Sequence, residues 1–324
     1  MINQSLITPL TVALKNTNAH KHLYSQAKLD RLAHAYLLET SDSFAALILA
    51  RSIASIFLKP ENIVLQGRHA DLFEAPKELN DKIIVDTVDS IIEDTIKRPS
   101  EGEKKFYIIN NFDSANIQSQ NKLLKTLEEP PVGTCFFLIA KNCNSIVPPI
   151  LSRCQSIVVD SFSTIDLEVM LVEAKIKNLD DNSIALASSL ANGSITLAIN
   201  FLTDKKQQAV FSATLNALLQ LKSSKNVLAA VALLAPYKDY LVELLQHITT
   251  IFQDVLYLHT NSTTNIKLKT IKTELQQLQQ MYSLKAISAI TLFLTTINKR
   301  IQSNANHNSL LDDLFFTIAQ KRVI

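Results

Sequence analysis

From the start of the chain to about Phe162, short apolar runs alternate with stretches of helical periodicity. Ala35-Tyr-Leu-Leu-Glu39 reads as a strand, and Phe44, Leu47, Ile48, Ile53, Ile56 and Phe57 then recur at helical spacing. Asp71-Leu-Phe-Glu74 predicts a second strand. Asp86 is placed to cap a helix whose apolar face is Val88, Ile91, Ile92 and Ile96. Phe106-Tyr-Ile-Ile109 predicts a third strand, followed by a helix from about Asn116 to Glu128 that Pro130-Pro131 stops. Thr134-Cys-Phe-Phe-Leu-Ile139 and Ser156-Ile-Val-Val159 complete the series. Strongly apolar strands separated by helices imply a parallel sheet covered on both faces.

Beyond Phe162 almost everything reads helical. Ser163-Thr-Ile-Asp166 fits a capping box. Pro236 and Asn261-Ser-Thr-Thr-Asn265 break the helical pattern. The glutamine-rich Glu274 to Gln280 stretch keeps a helical face through Leu275 and Leu278, so it is expected as helix. Asn304 to Asn308 is expected as a polar loop before a last amphipathic helix, Leu310 to Ala319. The pattern divides the chain into an α/β domain over 1–162, a small helical domain over 163–203 and an all-helical domain over 204–324.

Composition narrows the function classes. A chain of 324 residues with 47% hydrophobic and 19% charged residues can bury a sizeable core, and a net charge of +2 favours no particular partner. The polar start MINQSLITPL argues against a signal peptide, and the longest apolar stretch, Val227 to Pro236, is too short to span a bilayer. Cys135, Cys143 and Cys154 are odd in number and lack scaffold spacing, which points to a reduced, cytosolic protein. Glycine is the most informative residue. There are only four, Gly67, Gly102, Gly133 and Gly193, and none precedes a lysine. A phosphate-binding P-loop, a GxGxxG dinucleotide loop, a kinase glycine loop and a GxSxG elbow are all excluded.

Two segments carry a family resemblance. Asn121-Lys-Leu-Leu-Lys-Thr-Leu-Glu-Glu-Pro-Pro131 resembles the most recognisable stretch of the bacterial DNA polymerase III clamp-loader subunits with the AAA+ fold. Ile150-Leu-Ser-Arg-Cys-Gln155 resembles their serine-arginine-cysteine motif. Arg31-Leu-Ala-His-Ala-Tyr-Leu37 is similar to the family's first strand, and His69-Ala-Asp71 to its His-Pro-Asp. Ile84-Val-Asp86 is similar to the approach to the next helix, and Asn304-Ala-Asn306 through Leu314 to the start of the last collar helix. The resemblance implies an AAA+ α/β domain, a small helical lid and a C-terminal helical collar that joins subunits.

The departures point to a subunit without its own ATP site. Where the family's motor subunits carry the phosphate loop, this chain has Glu39-Thr-Ser-Asp-Ser-Phe-Ala-Ala46, with Ala46 at the lysine position. Asn110-Asn111 stands where the motors have Asp-Glu, and Thr196 where a nucleotide-reading arginine is found. Arg153 matches the arginine that reaches a neighbour's ATP in trans; its bland alternative is a surface salt bridge. Ser152 is expected to shape the turn and Cys154 to pack. Gln120, Asn121, Lys125 and Glu128 are interface candidates on one helix, and Lys125 with Glu128 could equally form an intrahelical ion pair. The resemblance implies gamma/tau motor and delta subunits as neighbours, with the sliding clamp and primed DNA reached through the complex. Many relatives hold zinc in a four-cysteine module, but Ile56 to Asp71 contains no cysteine. His69 cannot form such a site alone, and His20 and His22 are expected to be exposed. No metal or cofactor is expected, nor any polymerase chemistry. The rival readings are a divergent ATPase that binds nucleotide without glycines and an interaction scaffold outside replication.

Overall fold

A computed structural model describes residues 4–77, 81–176, 179–221, 224–302 and 307–321. The chain forms two compact units, one of Met1–Lys177 with Gly193–Thr196 and the other of Asn178–Asn192 with Leu197–Ile324.

The first unit is built on five strands: β1 (Ala35–Thr40), β2 (Leu72–Ala75), β3 (Lys105–Ile109), β4 (Thr134–Ala140) and β5 (Gln155–Val159). All neighbours are parallel, in the order β2-β3-β4-β1-β5. This order inserts β4 between β1 and β3. The central strands are buried on both faces, so they read as nearly unbroken apolar runs. Edge strand β5 alternates instead, with Ile157 and Val159 buried. Stacked rings fill both faces: Tyr107 on Phe136 at 5.0 Å on one, Tyr36 on Phe137 at 5.4 Å on the other.

The helices of this unit are α1 (Ile7–Lys15), α2 (Asn18–Lys28), α3 (Ser43–Ala54), α4 (Glu61–Leu65), α5 (Val85–Thr95), α6 (Ile117–Glu128), α7 (Pro148–Leu151) and α8 (Thr164–Glu173). Helix α3, buried along most of its length, packs against the β1, β3 and β4 strands. On the opposite face Val88 and Ile91 of α5 and Leu123 and Leu127 of α6 join Leu37, Tyr107, Ile109, Phe136 and Leu138 in one core.

The second unit is helical. It contains α9 (Asp181–Leu190), most of α10 (Ile195–Thr203), α11 (Lys205–Gln220), α12 (Val227–Leu234), α13 (Leu241–His259), α14 (Lys272–Met281), α15 (Leu284–Gln302) and α16 (His307–Gln320). Its core gathers Leu244, Ile248, Ile251, Phe252 and Val255 of α13 with Leu275, Leu278, Ile287 and Ile290. Buried Asp254 ties a loop to this core: it accepts backbone hydrogen bonds from Lys267 and Leu268. Burial raises its carboxyl pKa. Among the described residues no helix is long and apolar enough to cross a membrane.

The local expectations hold with instructive exceptions. Ser163 and Asp166 form the reciprocal capping box, and the glutamine-rich stretch is helix α14. Asp86 does not cap α5. The N-cap is Ile84, without a side-chain bond, and Asp86 sits inside the first turn, where its charge faces the positive helix end. Ile96 follows α5 and is 80% exposed, so it does not belong to the apolar face. Ile56 and Phe57 lie beyond the end of α3. The polar stretch before the last helix falls partly on 303–306, outside the described residues; His307 and Asn308 already belong to α16.

Candidate functional site

The turn from β1 into α3 is where a P-loop ATPase would hold phosphate, because the first N–H groups of α3 point into it. Here a side chain of the same turn fills that role. Asp42 is the N-cap of α3, and its Oδ1 accepts from the backbone N–H of Phe44 at 3.0 Å and of Ala45 at 3.2 Å. Its carboxylate also accepts from the Ser194 hydroxyl at 2.8 Å, the Thr196 N–H at 3.0 Å and the Thr196 hydroxyl at 2.7 Å. Asp42 is 4% exposed and Ser194 3% exposed. Thr40 closes the turn, its hydroxyl bonding both the N–H and the C=O of Asp42.

Gly193 makes this convergence sterically feasible. Its φ is +84°, and a Cβ there would lie 2.5 Å from Ser161 Cβ and 2.9 Å from Phe162 O. The Gly193 carbonyl also accepts from the Phe162 N–H at 3.0 Å. Ala46 is fully buried within α3. The sequence pattern sets Asp42 inside the Glu39–Ala46 turn and gives it no role. An aspartate just before a helical run is an N-cap signal, which could have flagged it. Nothing in the sequence signals its bond to Ser194, 152 positions away.

At the end of β3, Asn110 is buried and its N–H donates to Ala75 O at 2.7 Å. Asn111 takes a left-handed conformation, φ 53°, which asparagine tolerates better than most residues. Its side-chain amide donates to Asp81 O. Neither residue offers the carboxylates that would hold Mg²⁺ or polarise water.

A second group of candidates gathers around Arg153. Asn116 caps α6 by accepting from the Ser119 N–H at 2.8 Å. Leu123 and Leu127 face the core, which leaves Asn121, Lys125 and Glu128 exposed. Pro148 and Pro149 start α7, and Ser152 is its C-cap, with its hydroxyl donating to Pro149 O at 2.9 Å. Ser152 therefore shapes the turn that carries Arg153. The Arg153 guanidinium reaches Glu128 Oε1 at 2.6 Å, Pro149 O at 2.9 Å and Ser152 Oγ at 3.2 Å. Glu128 thus pairs with Arg153 and not with Lys125, because the turn after α7 brings the guanidinium to the C-terminal end of α6.

Gln120 does not stand on an exposed face with Lys125. It is 1% exposed, and its Nε2 donates to Ala115 O and Ser145 O, both at 2.9 Å, while its Oε1 accepts from Val147 N–H at 2.8 Å. Its place on the inner side of α6 makes it a bracket for the segment leading into α7. Cys154 packs partly against the sheet core, and burial pushes its thiol pKa up to about 12. Cys143 is pushed up to about 11, mainly by burial and then by Glu39 and Asp113. His69 is engaged internally: Nδ1 accepts from the Asp71 N–H and Nε2 lies 3.1 Å from Lys59 O. His22 is exposed. His20 is not: it lies on the inner face of α2, 5% exposed, stacked on Tyr24. Burial lowers its pKa, with Lys15 adding to the effect.

The family model described as DNA polymerase III, delta subunit, matches residues 15–163. Over 321 residues the chain is 25% identical to the DNA polymerase III subunit delta' of Bacillus subtilis, covering 93% of this chain and 95% of that one. The delta' subunit of Pseudomonas aeruginosa is 29% identical over 136 residues, 38% of this chain and 42% of that protein. The DNA polymerase III subunit gamma of Buchnera aphidicola (subsp. Schizaphis graminum) is 32% identical over 121 residues, 36% of this chain and 33% of that protein. Parts of the chain thus share sequence with both delta' and gamma subunits. Over 93% of its length, the chain is similar to a DNA polymerase III subunit delta'.

Proposed function

We propose that this chain is the non-hydrolysing subunit of a cytoplasmic clamp loader, a stator that places Arg153 against the ATP of a neighbouring gamma/tau motor. The observation that carries the first part is Asp42. A phosphate group at the N-terminus of α3 would have to displace a carboxylate that already takes five hydrogen bonds there. It would also meet that negative charge without a lysine to offset it, since Ala46 stands at the lysine position. Asn110 and Asn111 remove the metal-binding charge, so both phosphate binding and water activation lack their chemistry.

Arg153 supports the second part. It lies on a turn at the surface with its side chain 34% exposed, and its planar guanidinium suits a phosphoryl group that gains charge during transfer. Its neighbours would be a gamma/tau motor and delta. The region from about Asp204 onward would serve as the collar, with 163–203 as the lid. The sliding clamp and primed DNA would be engaged through the assembled complex. Chemistry in this chain itself is not expected, although the complex is part of a polymerase holoenzyme.

Equilibrium binding of labelled Mg-ATP to the purified chain tests the first part. No saturable binding up to millimolar nucleotide is expected. A micromolar dissociation constant would replace this reading with that of a divergent ATPase.

A further inference from the structure

Arg153 and Glu128 come from different elements, and their pairing places opposite demands on the two residues. Glu128 is the last residue of α6 and Glu129 its C-cap, so two carboxylates sit at the negative end of the helix dipole. A cation is favoured there, and Arg153 supplies it at 2.6 Å. The pair is partly solvated, with side chains 34% and 46% exposed, so a competing anion can reach the guanidinium. A second cation stands ready. Lys125 lies in the last turn of α6, three residues before Glu128, and is exposed. It makes no ion pair among the described residues.

We infer that Glu128 is a resting-state latch on Arg153, and that Lys125 takes over Glu128 when Arg153 turns to a nucleotide phosphate. The inference rests on the reading of Arg153 as a finger in trans. A phosphate gives the guanidinium two parallel hydrogen bonds and more negative charge than a carboxylate, so the exchange runs toward nucleotide. Spacing of three on a helix lets Lys125 meet Glu128 without moving the backbone. The exchange then leaves no bare carboxylate facing the helix end. Before nucleotide arrives, Glu128 and the Pro149 carbonyl hold the arginine in one place. Glu128 and Lys125 therefore act on the arginine as positioning residues, from opposite sides of one equilibrium.

The test uses the full chain, reconstituted with delta and with gamma/tau motors whose own serine-arginine-cysteine arginines are replaced. Arg153 is then the finger under study. DNA-stimulated ATPase is measured against ATP concentration for wild type, Glu128→Gln, Lys125→Met, Arg153→Ala and the Glu128→Gln/Arg153→Ala double variant. Glu128→Gln should raise kcat/KM roughly two- to fivefold, the range an exposed ion pair can supply. The gain should shrink at high salt, where exposed pairs are screened. Lys125→Met should lower kcat/KM by a similar factor. Glu128→Gln should have no effect once Arg153 is Ala, because the two changes act through one interaction. If Arg153→Ala matches wild type, the finger reading falls and takes the latch with it. If Arg153→Ala lowers the rate while Glu128→Gln leaves kcat/KM unchanged or reduces it, the latch alone is overturned.

Discussion

Thr196 donates twice to Asp42, its hydroxyl to Oδ1 at 2.7 Å and its backbone N–H to Oδ2 at 3.0 Å. By the family resemblance Thr196 takes the place of a nucleotide-reading arginine, and Asp42 lies in a turn, Glu39–Ala46, that contains neither glycine nor lysine. The two residues fit each other. The turn carries an anion of its own, and the opposing segment carries hydroxyl and amide donors for it.

This relationship predicts a stability cost without any nucleotide present. Asp42→Ala removes the N-cap of α3 and the acceptor for the Ser194 and Thr196 donors. An N-cap contributes about 1 kcal/mol, and hydrogen bonds to a charged group about 1.5–3 kcal/mol each, with imperfect additivity. Asp42→Ala should therefore lower unfolding stability by roughly 2–4 kcal/mol, and Thr196→Val by about 1–2 kcal/mol. Urea titrations that show Asp42→Ala within about 0.5 kcal/mol of wild type, the scatter of ordinary surface substitutions, would remove the carboxylate from this role.

A pH dependence follows from the helical unit. His247 of α13 is 6% exposed, its Nδ1 is buried without a hydrogen-bond partner, and its ring meets Phe211 edge-on at 5.3 Å. Burial lowers its pKa from 6.5 to about 4. The unfolded chain therefore binds a proton between about pH 6.5 and pH 4 that the folded chain refuses, so stability rises with pH across that window. The contribution is fully present above pH 6.5 and is lost as pH falls toward 4. The slope for one proton is about 1.4 kcal/mol per pH unit. Substituting His247 with Leu should flatten the dependence of the urea midpoint between pH 7 and pH 5. An unchanged slope would mean that His247 does not titrate with folding.

How much could be read from the residues alone depends on range. The five strands were visible because a parallel sheet buried on both faces leaves long apolar runs, as in Thr134–Ala140. The helix ends were visible where a polar side chain bonds to its own turn, as at Asn116 and Ser163. The misreadings have physical causes too. Asp86 has the residue type of a cap, yet it is the second residue of α5, where acidic residues are also favoured. Gln120 and His20 are polar residues on helix faces that turn inward. Only the partners that the fold brings to them, such as Ser145 O and Val147 N–H for Gln120, explain their burial. The absence of a glycine-lysine phosphate loop could be read from the residues alone. The convergence of Asp42, Ser194 and Thr196 could not, because those contacts join segments more than 150 positions apart.

On the proposed function, this chain contributes to ATP hydrolysis through a residue it lends and not through a site it owns. Arg153→Ala removes a surface guanidinium and should leave folding and assembly intact, since its partners Glu128 and Pro149 O remain open to water or to Lys125. Arginine fingers contribute factors of roughly 10³ to 10⁵ at single sites, and other interfaces in a ring keep their own arginines. The direct measurement is DNA-stimulated ATPase of the reconstituted complex, comparing wild type, Arg153→Ala and Arg153→Lys. A clear but partial fall is expected for Arg153→Ala, with little rescue by lysine, which lacks the planar fork. An Arg153→Ala complex that assembles and hydrolyses ATP at the wild-type rate would contradict it.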